Sequence, residues 1–320
     1  MPLLSYVFCL LILFRLTANV SYAQHPDYAT LITVAQDSSG DYTRIQEAID
    51  ATKSFPDVAI TILVKPGVYR EKVRVYSWNT KLSLVGEDRA NTIISYHDHF
   101  EKINRGRNST FHTYTLQVDA NDFHLENITV ENTAGPVGQA VALHGEGDRC
   151  SFVRCAFKGH QDTMYLAGER ARHYFQDCYL EGTTDFIFGE ATAWFENCEI
   201  RAKSDSYITA ASTAEGNPYG FVFHRCTITT APDVKKVYLG RPWRKFARTV
   251  FVECTLSDGV APSGWEVWSN ADDRQTTFYA EYNSLGPGAT PEQRADWTHQ
   301  LTPQQAKDYT LEKVLSGWVP

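Results

Sequence analysis

Between residues 152 and 256 the chain repeats one short phrase five times: an aromatic residue, two others, a cysteine, one other, and an apolar residue. The copies are Phe152-x-x-Cys155-x-Phe157, Phe175-x-x-Cys178-x-Leu180, Phe195-x-x-Cys198-x-Ile200, Phe223-x-x-Cys226-x-Ile228 and Phe251-x-x-Cys254-x-Leu256, with cysteines 23, 20, 28 and 28 residues apart. Units this short leave no room for a strand, a full crossover helix and a second strand, which together take about 30 residues. Read with the two-residue period of a strand, one copy puts Phe175, Asp177 and Tyr179 on one face and Gln176, Cys178 and Leu180 on the other. One such strand per 20 to 28 residues, with polar and glycine-containing turns between, predicts an all-β chain wound as a parallel β-solenoid. The upstream runs ITILV (60–64), KLSLVG (81–86), NTIIS (91–95), TLQV (115–118) and HLENITVEN (124–132) extend the scheme less regularly. A β-sandwich fits worse, because it gives hairpin signals roughly every 8–12 residues.

Short helices are expected at both ends. In YTRIQEAIDAT (42–52), Ile45, Ala48 and Ile49 share a helical face, and Thr43 with Gln46 reads as a capping box. In TPQQAKDYTLEKVLSG (302–317), Thr302 reads as an N-cap, Pro303 as the first helical residue and Gly317 as the stop. Such helices would cover the open ends of a solenoid. Residues 1–23 read as a cleaved secretion signal: the apolar run LLSYVFCLLILF is 12 residues long, too short to span a bilayer, and Ser21 and Ala23 are small residues placed for cleavage. Residues 24–320 then form a single domain of a secreted protein, extracellular or periplasmic, with no membrane span.

Loss of that segment removes one of 30 basic residues, Arg15, and none of the 38 acidic ones, leaving a net charge of −9. A chain so acidic lacks the basic footprint of a nucleic-acid binder. Six of the seven cysteines remain, and five of them occupy one repeated inward position. That placement reads as a ladder of buried free thiols instead of a disulfide framework.

Two aspartates stand in the same place in successive repeats, Asp162 seven residues after Cys155 and Asp185 seven after Cys178. If the coils stack, the two carboxylates stack as well, roughly one strand spacing of ~4.8 Å apart. Carboxylates that close cannot both ionise easily, so one keeps a proton beside a charged partner. Asp205 and Asp233 share the seven-residue offset, but KSDSY and TAPDVKK are polar contexts that read as solvated turns. Asp162 and Asp185 sit instead among glycines, Met164, Phe186, Ile187 and Phe188.

Four stretches around these residues, GQAVALHG (138–145), GHQDTMY (159–165), TDFIFG (184–189) and LGRPW (239–243), resemble the signatures of the pectin methylesterase family. VKPGVYREKV (64–73), ITVENTAG (128–135) and FYAEYNSLGPGA (278–289) carry the resemblance along nearly the whole chain. It implies a right-handed parallel β-helix that hydrolyses methyl esters of galacturonosyl units in pectin, without a cofactor or metal. By the same resemblance Asp185 is the nucleophile, Asp162 the general acid and base, and Gln161, assisted by Gln139, the donor to the oxyanion. Arg241 then holds Asp185 ionised and lowers its affinity for a proton. Trp243 packs on a sugar face, with Tyr165 and Phe188 as further aromatic walls, and Thr110 contacts substrate. The expected partner is methyl-esterified homogalacturonan, bound by a monomer.

His160, Met164 and His144 depart from the residues common in that family, which bears on pH dependence and on preference for neighbouring units. His97 and His99 in YHDHF could share a side of a strand and hold a metal, but no third ligand accompanies them. Asn108 and Asn127 begin glycosylation sequons. No Gly-x-Ser-x-Gly elbow, phosphate loop or dinucleotide fingerprint occurs. Two other readings remain: a solenoid glycosidase, since carboxylates about 5 Å apart suit a retaining mechanism, and a non-catalytic carbohydrate-binding β-helix, which would tolerate loss of either aspartate.

Overall fold

The computed structural model describes residues 26–268 and 274–320; the expected leader, 1–23, lies outside them. The described strands form three parallel sheets of 11, 8 and 7 strands. One turn of the chain visits each sheet once: Arg172–Gln176 in the first, Tyr179–Gly182 in the second, Ile187–Gly189 in the third, then Thr192–Glu196 in the first again. This is the solenoid that the repeat predicts, a parallel β-helix.

The repeated aromatic is the register mark of the first sheet. Phe152, Phe175, Phe195, Phe223 and Phe251 are successive partners across it. Their rings stack inside the bore with centroids 4.4–4.7 Å apart and planes within 13° of parallel. The cysteine ladder runs beside them, every thiol free and buried.

The two-residue period fails at one point. Phe175, Cys178 and Leu180 all face inward, although simple alternation puts Phe175 opposite the other two. Asp177, between the first and second sheets, has φ of 53°. A single left-handed residue turns the strand through the corner and resets its phase, so the chain enters the next sheet with the same face inward. Arg154, Asn197, Arg225 and Glu253 do this in the other copies, with φ of 51–54°. None is glycine, and only the Asp and the Asn belong to the types that commonly favour this region.

The ends depart further from expectation. Ile45–Asp50 is a helix whose Ile45, Ala48 and Ile49 close the amino-terminal end of the core. Its cap is not Thr43, however. The buried Glu71 carboxylate accepts from the Ile45 and Gln46 N–H groups at 2.9 and 3.1 Å. At the other end Thr302 caps as expected, in a capping box with Gln305, but the helix stops at Ala306 and a second begins at Leu311. These helices do not plug the bore. Val314 and Leu315 pack with Trp194, Val222 and Val250 on the outer face of the first sheet, while Trp265, Tyr279 and Trp297 close the carboxyl-terminal end of the core.

Candidate active site

The corner leading into the third sheet carries the chemistry. Met164 pairs with Ile187 across that sheet, so Asp162 and Asp185, each two residues earlier, occupy one position in adjacent coils. Both have left-handed backbones, with φ of 64° and 50°. Each corner is tied to the next coil, Asp162 N–H to the Thr184 carbonyl at 3.0 Å and Asp185 N–H to the Tyr207 carbonyl at 2.8 Å. One coil back, Gln139 pairs in parallel with Gln161.

Asp205 and Asp233 do not join this row. Tyr207 takes the place that Asp185 holds one coil earlier, because the corner after Cys198 is two residues longer than the one after Cys178. Asp205 instead caps an exposed turn, accepting from the Lys235 and Lys236 N–H groups at 2.7 and 2.8 Å.

Arg241, two coils beyond Asp185 in the same sheet, grips that aspartate with both arms: Nε donates to Oδ1 at 2.9 Å and Nη2 to Oδ2 at 2.6 Å. The guanidinium lies between the rings of Tyr207 and Trp268, 4.0 and 3.7 Å from their centroids, which holds its plane for the fork. Asp185 is 4% exposed. Asp162 is half-buried, with Gln161 beside it in the cleft lining.

Burial pushes the Asp162 carboxyl well above its ordinary value, and the neighbouring negative charge of Asp185 adds to this; Arg241 and Gln161 pull the other way. Arg241 lowers Asp185 as expected, yet the net shift of Asp185 is also upward. Desolvation is the largest influence there and outweighs the opposing pull of the guanidinium.

Gln139, Gln161, Asp162, Asp185 and Arg241 line one open cleft on the outer face of the third sheet. Its apolar walls include Phe188 and Trp243, which meet edge to face, and Thr110 with Phe111, brought in by an excursion over residues 97–113. Tyr165 does not line the cleft; it stands behind, stacked on Phe188 at 4.8 Å and tilted against Phe111 at 4.8 Å. Sequence reasoning missed four lining residues: Arg107, Phe111, Ala210 and Trp268. Arg107, Phe111 and Trp268 lie outside the repeat, where no periodicity marks them, and Ala210 is a small strand residue with nothing to single it out; only the adjacency of Phe111 to Thr110 offered a signal.

Asp162 and Asp185 apart, no described His, Cys, Asp or Glu lines this cleft. His97 and His99 follow the strand Thr92–Tyr96 instead of sharing a face of it. Among the described residues no three His, Cys, Asp or Glu side chains gather as metal ligands. Asn108 is exposed on the excursion, whereas Asn127 is a left-handed corner residue bonded to Arg154. No described helix is long and apolar enough to cross a membrane.

Comparison with known proteins places this geometry. The family model described as Pectinesterase matches residues 31–318. "Probable pectinesterase/pectinesterase inhibitor 23" of Arabidopsis thaliana is 38% identical over 304 residues, which cover 90% of this chain and 53% of that protein, so the chain spans about half its length. "Pectinesterase 31" of the same plant is 37% identical over 284 residues, 86% of this chain and 89% of its own. The solved pectin methylesterase from carrot superposes with a TM-score of 0.84 at 30% identity, over 93% of this chain and 95% of its own. A family match across nearly all of the described solenoid, and a solved relative of almost the same extent, make this chain a member of the pectinesterase family.

Proposed function

We propose that the cleft hydrolyses methyl esters of galacturonosyl units in pectin, releasing methanol and leaving free carboxylates. The observation that carries the reading is the pair of unlike carboxylates: Asp185 held by both arms of Arg241, and Asp162 beside it, with no cation of its own and a proton held more tightly. The ionised Asp185 attacks the ester carbonyl carbon, and charge moves to the carbonyl oxygen, where the Gln161 and Gln139 amides donate hydrogen bonds. Collapse of that intermediate breaks the bond to methoxide, which leaves with the proton of Asp162. The resulting acyl-enzyme is a mixed anhydride on Asp185. Asp162, now a carboxylate, takes a proton from water as the water adds to the anhydride, and Asp185 is released. Protons and charge balance over the cycle, and both carboxylates return to their starting states.

Trp243 offers a sugar ring a flat apolar face, and Thr110 lines the same cleft. An open groove suits a polymer lying across the site. The leader read in residues 1–23 and the family's substrate support export, and the domain acts as a monomer in this proposal. The test is methanol release from methylated pectin by wild type and by Asp185→Asn, with chain length followed in parallel. Methanol without shortening is expected from wild type and none from the variant; shortening without methanol would establish a glycosidase instead.

A further inference from the structure

The excursion over residues 97–113 leaves the solenoid, delivers Thr110 and Phe111 to the cleft, and returns. Only short helical turns lie within it, Phe100–Ile103 and Gly106–His112, so its placement depends on how it is tied to the solenoid: Lys72 Nζ donates to the His112 carbonyl at 2.7 Å, Phe111 packs on Tyr165, and the two ends are held as well. Both ends converge on one side chain. The amide nitrogen of Asn132 donates to the Asp98 carbonyl at 2.9 Å, to the Thr113 carbonyl at 3.2 Å and to the Val141 carbonyl at 3.0 Å. Two hydrogens serve three acceptors, so one is shared. The Asn132 carbonyl oxygen accepts from Ala134 N–H at 3.0 Å, which fixes which way the amide points.

The first two acceptors are the entry and exit of the excursion; the third lies two residues after Gln139. Further bonds join the same pieces. Thr113 Oγ1 accepts from Val141 N–H at 2.9 Å and donates to the Thr110 carbonyl at 2.7 Å. Phe100 N–H donates to the Gln139 carbonyl at 2.9 Å. Asn132 is buried, and it is absent from the cleft lining.

We propose that Asn132 is a positioning residue for the reaction: its amide fixes the Thr110–Phe111 wall against the segment that carries Gln139. A side chain that bridges wall and oxyanion donor sets the width of the cleft without touching substrate. The inference rests on the esterase reading above.

Asn132→Asp keeps the shape, removes both N–H donors and turns an oxygen toward three carbonyls. In a folded variant kcat/KM on methylated pectin is expected to fall about 10- to 100-fold, as slight misplacement of reacting groups does. A double-mutant cycle with Gln139→Ala separates positioning from general damage. If Asn132 acts through Gln139, its loss costs much less once Gln139 is gone; full additivity overturns the proposal. Amide hydrogen exchange gives a readout independent of activity. Exchange over 97–113 and 139–141 should quicken in the variant, and unchanged protection there overturns the proposal even if wild type released no methanol, a result that would sink the esterase reading separately. Should Asn132→Asp not fold, Thr113→Val cuts the parallel link and is held to the same coupling with Gln139.

Discussion

Arg241 and the surrounding protein pull Asp185 in opposite directions, and the balance sets the working pH. In the proposed reaction Asp185 must be ionised to attack, so activity falls as pH drops through its pKa. That pKa is raised, so the acid limb of kcat/KM should lie above the ordinary carboxylate value of 3.8. Asp162 must carry a proton to release methoxide, so activity also falls as pH rises through its own, more strongly raised pKa. A bell-shaped profile follows, its limbs belonging to the coupled pair. An acid limb at or below 3.8 would show that Arg241 dominates burial after all. Substitution should separate the roles: Asp185→Asn abolishes methanol release, since a neutral amide cannot form the acyl-enzyme, and Asp162→Asn costs about 10²–10⁴-fold. Asp205→Asn, which alters only a distant turn, should leave turnover within a few-fold. The site was legible at this scale where the residues sit at fixed places in the repeat. Asp162 and Asp185 differ from Asp205 in context, not in spacing. The two extra residues that displace Asp205 from the row became apparent only once Tyr207 was seen in its place.

Among the elements, the strands were readable and the corners were not. Alternation assumes one backbone conformation throughout, and the left-handed residue at the corner of each of the five copies breaks it, carried in three of them by Arg154, Arg225 and Glu253 with no glycine to announce it. The helix at 45–50 shows the same limit of local reading. Thr43 and Gln46 spell a capping box, yet Glu71, distant in sequence but adjacent in the fold, supplies the acceptors. Thr43→Ala should therefore shift stability by no more than about 0.5 kcal/mol, as surface substitutions usually do. Glu71→Ala leaves two backbone N–H groups without acceptors and should cost about 1–3 kcal/mol in urea unfolding. A larger loss from Thr43→Ala than from Glu71→Ala would reverse the assignment. Within the bore, Phe195 is stacked on both sides and fully buried; Phe195→Ala should cost about 3–5 kcal/mol in the same measurement.

Across the whole molecule, the core is a set of ladders along one bore, aromatic beside thiol. Cys150, Cys155, Cys178, Cys198, Cys226 and Cys254 are all free and buried, although the sequence reads as that of an exported protein. None should react with Ellman's reagent while the solenoid is intact, and all six should react in denaturant. Early reaction of even one thiol in the native state would mean that the coils separate locally. The ladder was foreseeable because the repeat itself fixes it; the path of the carboxyl-terminal helices along the outside of the first sheet was not, since their amphipathic pattern says that a face is buried and not against what.

One consequence concerns heat. Asp162 and Asp185 hang from equivalent corners of neighbouring coils, so their separation is set by a backbone hydrogen-bond ladder and not by a hinge or a closing lid. Such a ruler expands very little before it breaks. Warming should therefore speed each step of the proposed reaction without reshaping the site, so that the logarithm of the rate falls on one straight line against reciprocal temperature until the coils come apart together.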